Sequence, residues 1–112
     1  MKAIDAKELK KMLAKRPHPP LVNTLPRDYF SKTHIPEAVN IPQDQDDFVE
    51  RVEIAAGGRD QPVIVYCASQ ECDSSEQAAE KLEHAGFSQV YDFEAGAQGW
   101  QEAGGRLQTS GG

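Results

Sequence analysis

A short apolar run at residues 62–66 constrains the fold more than any other part of this sequence. After Pro62 it reads Val-Ile-Val-Tyr with no polar break, which predicts a strand buried on both faces. Strands of this kind belong to parallel sheets that are covered by helices on both sides. The rest of the chain must therefore supply helices and neighbouring strands.

Helical and extended patterns alternate along the chain, as that requirement demands. One helix is predicted to begin after an N-cap at Asp5. The other predicted helices span residues 28–31, 46–56, 76–85 and 97–103. The other extended segments are residues 21–24, 39–41 and 89–93. This alternation favours the α/β class with a parallel sheet.

The length of 112 residues allows one domain. We expect it to span residues 1–105, followed by a polar tail at residues 106–112 that is expected to be disordered. Twelve basic and eighteen acidic residues give a net charge of −6, which argues against nucleic acid or an anionic membrane as the main partner. No apolar segment suits export or membrane insertion, so a cytoplasmic location is expected.

Cys67 directly follows the apolar strand, and a segment of small and polar residues leads from it to the next predicted helix. Ligands of parallel sheets bind at the carboxyl ends of the strands. A cysteine there lies among backbone N–H groups and near a helix N-terminus, and both favour the thiolate. This segment predicts a nucleophile, and the alternative is a small buried residue that merely ends a strand.

The flanking sequence resembles the rhodanese-like sulfurtransferase family over residues 3–104. In the first half the resemblance lies in Leu21-Val-Asn-Thr-Leu, Tyr29 and His34-Ile-Pro-Glu-Ala-Val-Asn-Ile-Pro42. In the second half it lies in Val-Tyr-Cys67, Ala78-Ala79, Leu82, Ala85-Gly86-Phe87, Val90-Tyr91, Gly96, Trp100 and Ala103-Gly104. The ordered set, rather than any single piece, is typical of that family.

The resemblance implies a rhodanese-like α/β fold with a five-stranded parallel sheet flanked by helices on both sides. It also implies a ping-pong reaction, in which Cys67 takes a sulfane sulfur from a small donor, holds it as a persulfide and passes it to a thiol or protein acceptor. No cofactor and no metal is expected. Carried over to this chain, the substrate-binding loop comprises Ala68, Ser69, Gln70, Glu71, Asp73, Ser74 and Ser75, with backbone amides cradling the outer sulfur.

The loop departs from the family pattern, which is Cys-x-x-Gly-x-Arg followed by a serine that opens the helix. Counting back from Ala78, that serine is Ser75, so the loop is two residues longer and lacks the glycine and the arginine. Ser74 stands in place of the arginine, the usual forked partner of an oxyanion. We therefore expect a persulfide or polysulfide donor rather than thiosulfate, with Arg27 as the candidate anion contact.

Acidic residues near the loop and further departures from the family pattern also bear on the identity of the substrate. Glu71, Asp73 and Glu76 oppose an anionic substrate, and Asp73 occupies the arginine position of the related Cys-x5-Arg phosphatases, which argues against phosphatase chemistry. The family's aspartate, following arginine and turn glycine are replaced by Asn23, Leu25 and Glu37.

The remaining candidates are Cys72, His34 and Trp100. Cys72 is either a thiol that resolves an intermediate on Cys67 or a solvent-facing cysteine without a role. The two cysteines lack a second pair, which disfavours a metal site. His34 and Trp100 are interpreted as structural residues near the site.

The function itself has an alternative. A non-catalytic rhodanese-like module would bind a partner protein through the same loop. The retained Cys67 favours the enzyme, whereas the missing arginine favours the module. The sequence leaves open the donor, the acceptor, the oligomeric state and whether the cysteines form a disulfide.

Overall fold

The computed structural model describes residues 1–109 and contains five strands and five helices. In chain order they are β1 (Lys2–Ile4), α1 (Ala6–Leu13), β2 (Leu21–Asn23), α2 (Arg27–Lys32), β3 (Val39–Asn40), α3 (Phe48–Ala56), β4 (Val63–Tyr66), α4 (Ser74–His84), β5 (Val90–Phe93) and α5 (Gly96–Glu102). The five strands form one sheet in the order β1-β5-β4-β2-β3, and all their pairings are parallel. The predicted α/β class with a five-stranded parallel sheet is confirmed.

The sheet is covered on both sides, and β4 shows why. Its Val63 and Val65 pack into a cluster with α3 and α4, whereas Ile64 and Tyr66 pack into a cluster with α1 and α5. All four side chains are buried. The unbroken apolar run therefore reflects a central strand that feeds two hydrophobic cores, one on each face.

Strand β1 was not predicted from the residue pattern. Its first two residues are exposed and only Ile4 is buried, so no periodicity marks it. The strand exists because it pairs with β5, with Ile4 in register with Phe93. The predicted N-cap that follows it is confirmed, since Asp5 Oδ1 accepts a hydrogen bond from the Glu8 N–H at 2.8 Å.

Glu37 has a φ of 73° and is the one non-glycine residue with positive φ among the described residues. This is the position at which the resembling family has a glycine, and an L-residue in that region costs about 1–2 kcal/mol. The Glu37 carboxylate lies 3.5 Å from both Arg16 and His18. The Glu37 side chain is half exposed, so these contacts contribute little to stability.

Residues 106–108 contact the domain, although a disordered tail was expected from residue 106 onward. His34 and Gln108 exchange two backbone hydrogen bonds of 2.8 Å, and Leu107 packs against the α1/α5 cluster. Leu107 is the single apolar residue of a polar tail, so the composition did not predict this contact. The last part of the expected tail, residues 110–112, lies outside the described residues. Within residues 1–109, no helix has both the length and the apolar character needed to cross a membrane.

Candidate active site

Cys67 lies at the carboxyl end of β4, between the ends of β2 and β5. Thr24, which directly follows β2, holds the ends of β2 and β4 together. Its N–H and its hydroxyl both donate to the Tyr66 carbonyl at 3.1 Å. Cys67 is only 1% exposed, although the following residue is exposed. The sulfur therefore lies at the base of a loop that leads to α4.

The N-terminus of α5 holds this loop from the other side. The N–H groups of Ala97 and Gln98 donate to the carbonyls of Cys67 and Ala68, each at 2.9 Å. Gly96 makes this approach possible, because a Cβ on it would lie 2.6 Å from the Cys67 carbonyl oxygen and from the Ser69 nitrogen. Gly96 also has a φ of 69°, a conformation that L-residues rarely adopt. Gly96 is thus part of the site's framework.

Replacing Gly96 by alanine should destabilise the fold and displace the loop, because the new methyl group meets rigid backbone. Gly104→Ala is the matched control: its φ is 92°, but a Cβ there meets nothing within 4 Å. We expect Gly96→Ala to lower the free energy of unfolding by about 2 kcal/mol more than the control does. Urea unfolding followed by circular dichroism measures both. Equal losses in the two variants would show that the close approach is not a constraint.

The two cysteines are brought together, as the candidate pairing requires. The structure forms a Cys67–Cys72 disulfide, with the Cα atoms 6.4 Å apart, a separation within the usual range for such bonds. The Cys67 sulfur also lies 3.3 Å from the Cys72 carbonyl oxygen and 3.6 Å from the Ser75 hydroxyl.

Backbone N–H groups of the loop are largely free of protein acceptors. Among residues 68–76 of the described chain, only the Cys72 N–H donates a hydrogen bond, to the Ser69 carbonyl at 3.1 Å. The first turn of α4 adds its own unpaired N–H groups, and Asp73 does not cap them with its side chain. Such donors suit an anionic sulfur species.

Ser74 and Ser75 have different environments. Ser74 belongs to the framework, since its hydroxyl lies 3.1 Å from the Thr24 hydroxyl and 3.3 Å from the Thr24 carbonyl oxygen. Ser75 is buried and faces the Cys67 sulfur. Gln70, Glu71 and Asp73 are exposed, and Ser69 is half-buried. No basic side chain occurs between Cys67 and Glu76.

Asp92 is a site residue that the sequence analysis missed. It is 1% exposed, on the α3/α4 face of β5, and its Oδ1 atom has no hydrogen-bond partner among the described residues. Burial raises the pKa of Asp92 to about 6; the nearby Ser75 side chain opposes the rise, and the charges of Glu94 and Glu76 add to it. The one available signal was a single acidic residue inside an apolar strand.

Arg27 lines a different cavity from the one beside the loop. It lines an open cavity of about 680 Å³ with Arg51, Ser31 and Asp44 among its neighbours, and no residue of the loop reaches that cavity. A second cavity, of about 480 Å³, lies beside the loop and includes Ala68 in its wall. Its one basic residue is Lys32, which sequence reasoning missed because nothing in its local pattern distinguishes it.

His34 and Trp100 make contacts of a structural kind. The His34 ring stacks on Phe30 with centroids 4.0 Å apart, and its Nδ1 lies 3.0 Å from the Phe30 carbonyl oxygen. The Trp100 indole N–H donates to the Arg106 carbonyl at 2.9 Å, and its ring packs with the α1/α5 cluster. Neither residue contacts the Cys67 sulfur in these interactions.

The buried phenol of Tyr66, the last residue of β4, is hydrogen-bonded to residues outside that strand. The Tyr66 hydroxyl accepts hydrogen bonds from the Asn23 side-chain amide at 3.1 Å and from the Ile35 N–H at 3.0 Å. Burial raises the pKa of the Tyr66 phenol, and the hydrogen bonds with Asn23 and Ile35 oppose the rise. An amide suits this position because it can donate to the phenol, which an ionised aspartate could not do.

Comparison with known proteins agrees with the fold. A family model described as the rhodanese-like domain matches residues 5–103. No curated protein gives a significant match. Similar solved structures include the Alr3790 protein from Anabaena sp., which is 26% identical over 96% of this chain and 80% of that chain, with a TM-score of 0.82.

Two further similar solved structures are named for an enzymatic activity. A thiosulfate sulfurtransferase from Pseudomonas aeruginosa is 25% identical, with a TM-score of 0.84, and the match covers 99% of this chain but 21% of that one. A rhodanese with anions from E. coli is 22% identical, with a TM-score of 0.65, over 81% of this chain and 98% of that one, a likeness of fold alone.

Proposed function

Because this chain belongs to the rhodanese-like domain family, we propose that it is a sulfurtransferase that carries sulfane sulfur as a persulfide on Cys67. The observation that carries the proposal is the position of Cys67, whose sulfur lies at the base of a clamped loop of free N–H groups. These donors stabilise a thiolate and then the terminal anion of a persulfide. No charged side chain of the loop is needed for that role.

The reaction has two displacements. The Cys67 thiolate attacks the outer sulfur of a persulfide donor, the donor's S–S bond breaks, and its inner sulfur leaves as a thiolate. The outer sulfur is now bonded to Cys67. An acceptor thiolate then attacks that outer sulfur, forms a new persulfide and releases the Cys67 thiolate. The cavity beside Ala68 is where we place the donor and the acceptor in turn.

Cys72 supports a branch in this cycle. Its thiolate can attack the Cys67 sulfur of the loaded persulfide, expel hydrosulfide and form the Cys67–Cys72 disulfide. The disulfide contact in the structure is the geometry that this step produces. Two equivalents of an external thiol would return both cysteines to the reduced form. Cys72 is thus proposed as the resolving thiol.

The experiment that tests the proposal is a mass measurement of the intact protein. The reduced chain, freed of reductant, is treated with a polysulfide and analysed before and after peptide digestion. We expect a mass increase of one sulfur atom on the peptide that contains Cys67, and loss of this increase on adding an acceptor thiol. Absence of an adduct on Cys67 both in the unaltered chain and in Cys72→Ser, in which the disulfide cannot form, would refute the persulfide proposal and favour the binding module, which the exposed acidic loop residues Glu71 and Asp73 would also suit.

A further inference from the structure

The two cysteines of the loop differ in their access to solvent. Cys67 is 1% exposed, whereas Cys72 is only half-buried. The structure joins them in a disulfide. A thiolate breaks a disulfide by attacking one of its two sulfurs, and the choice depends on which sulfur it can reach. In this structure an external thiolate therefore reaches the Cys72 sulfur and is kept from the Cys67 sulfur.

The surroundings of Cys67 suit a leaving group. Attack on Cys72 breaks the S–S bond and leaves the electron pair on the Cys67 sulfur. That sulfur lies 3.6 Å from the Ser75 hydroxyl, at the base of a loop whose N–H groups are largely free of protein acceptors. Donors of this kind stabilise the departing thiolate. Solvent access and the quality of the leaving group thus favour the same direction of attack.

We propose that the chain has a second activity, thiol–disulfide exchange, in which Cys72 reacts with outside molecules and Cys67 is the resolving cysteine. An external thiolate attacks the Cys72 sulfur, the Cys67–Cys72 bond breaks, and a mixed disulfide forms on Cys72 while Cys67 leaves as a thiolate. A second external thiolate attacks the external sulfur of the mixed disulfide and releases Cys72 as a thiolate. The external thiol is thereby oxidised to its disulfide, and the cysteine pair is reduced.

The same path runs in the opposite direction, because each of its steps is reversible. The Cys72 thiolate attacks an external disulfide, forms the mixed disulfide and releases one external thiolate. The Cys67 thiolate then attacks the Cys72 sulfur, expels the second external thiolate and closes the internal bond. The two cysteines therefore exchange the roles that they have in the persulfide cycle, in which Cys67 reacts first. This activity involves no sulfane sulfur, so it does not rest on the proposed function.

Charges around Cys72 indicate which molecules it accepts. Glu71 and Asp73 flank it in the chain, and both are exposed. A cavity of about 170 Å³ that borders residues 69–71 has Glu71 and Glu102 in its wall and no basic side chain. Negative charge at the site of attack repels anionic molecules and attracts cationic ones. The substrates are therefore thiols and disulfides that carry a positive charge, or no charge, near the reacting sulfur.

The first test locates the reacting cysteine with hydroxyethyl disulfide, a small neutral disulfide. Reduced Cys67→Ser and Cys72→Ser proteins are treated at about pH 9.5, at which an ordinary cysteine is largely a thiolate. Intact masses then follow the uptake of one hydroxyethylthio group. We expect Cys67→Ser to be modified at least about tenfold faster, because Cys72 is the accessible sulfur. The reduced unaltered chain should instead end as the internal disulfide. Equal rates, or faster modification of Cys72→Ser, would overturn the proposal.

A second test keeps both cysteines, so it does not depend on the folding of those variants. The oxidised chain is reduced with cysteamine, a cationic thiol, or with 3-mercaptopropionate, an anionic thiol of similar size. Samples are quenched with acid, alkylated and weighed. The ratio of the two rates is compared with that of Glu71→Gln/Asp73→Asn, which cancels the intrinsic reactivity of each thiol. We expect the preference for cysteamine to fall about fivefold in this variant at low ionic strength, and less in salt.

Glu53→Gln/Asp60→Asn is the matched control, since it changes the net charge equally. Asp60 precedes β4, at the end opposite the loop, and Glu53 is paired with the neighbouring Arg59 at 2.9 Å. The ratio of rates in this control should stay within about twofold of the unaltered chain, because distant exposed charges are screened. An equal change in the control, or no change in either variant, would overturn the proposal. A preference for 3-mercaptopropionate that Lys32→Met removes would place the attack at Cys67 and would overturn it as well.

Discussion

Replacing Cys67 by serine is expected to abolish both the loading of sulfur and its transfer. Serine is nearly isosteric, so the loop should keep its two hydrogen bonds to α5, which come from the backbone. A hydroxyl in this position remains protonated at neutral pH and has little affinity for sulfane sulfur, so the first displacement cannot occur. Loss should be complete within the sensitivity of a polysulfide-loading assay, with an unchanged circular dichroism spectrum.

Cys72→Ser is the control for this variant, since it removes the other sulfur of the disulfide pair. Loading of Cys67 should be largely retained, because the donor reacts with Cys67 alone in the first displacement. The fate of the sulfur should change: without an attacking thiolate in the loop, the persulfide should persist longer and release less hydrosulfide. A Cys72→Ser protein that cannot be loaded would contradict the division of roles between the two cysteines.

Thiosulfate should be a tenfold to hundredfold poorer donor than a persulfide or polysulfide. Its sulfonate oxygens require strong donors, and the loop between Cys67 and Glu76 contains no basic side chain. Losing one charged hydrogen bond corresponds to roughly 1.5–3 kcal/mol, which is the expected scale of the difference. Glu71, Asp73 and Glu76 add repulsion that weakens with salt. Steady-state assays with cyanide as acceptor compare the donors.

Ser74→Arg should improve the use of thiosulfate, with Ser74→Met as its control. Both changes remove the contact between Ser74 and Thr24, which lies at 3.1 Å, but only one supplies a guanidinium. Efficient use of thiosulfate by the unaltered chain, with no gain from the arginine, would refute the argument. In that event a Lys32→Met variant would test whether the cavity beside Ala68 holds the sulfonate.

The sheet could be predicted from the sequence because its buried central strands consist of locally apolar segments. The unbroken Val63–Tyr66 run is the clearest example, and the register of β4 between β2 and β5 accounts for it. β1 could not be predicted, since its only support is pairing with β5 far along the chain. Local periodicity does not contain information of that kind.

The candidate site could likewise be predicted from the sequence only in part. The position of Cys67 followed from its place after a buried strand and before a helix. The hydrogen bonds from α5 and the burial of Asp92 did not follow, because both depend on packing between separate elements. The expected anion contact was assigned to Arg27 from its nearness in sequence, whereas the structure places Lys32 in the cavity beside the loop.

The hydrogen bonds from Ala97 and Gln98 to the loop also set an order of events during protein synthesis. The ribosome releases a chain from its N-terminus, so Cys67 emerges before the helix that fixes its loop. The partner strand of β1 is also made late, since Lys2 pairs with Tyr91. A nascent chain that ends before Gly96 therefore carries its cysteine on an unanchored loop beside an unfinished sheet. The Cys67 thiol acquires its fixed surroundings only when the last part of the domain has left the exit tunnel.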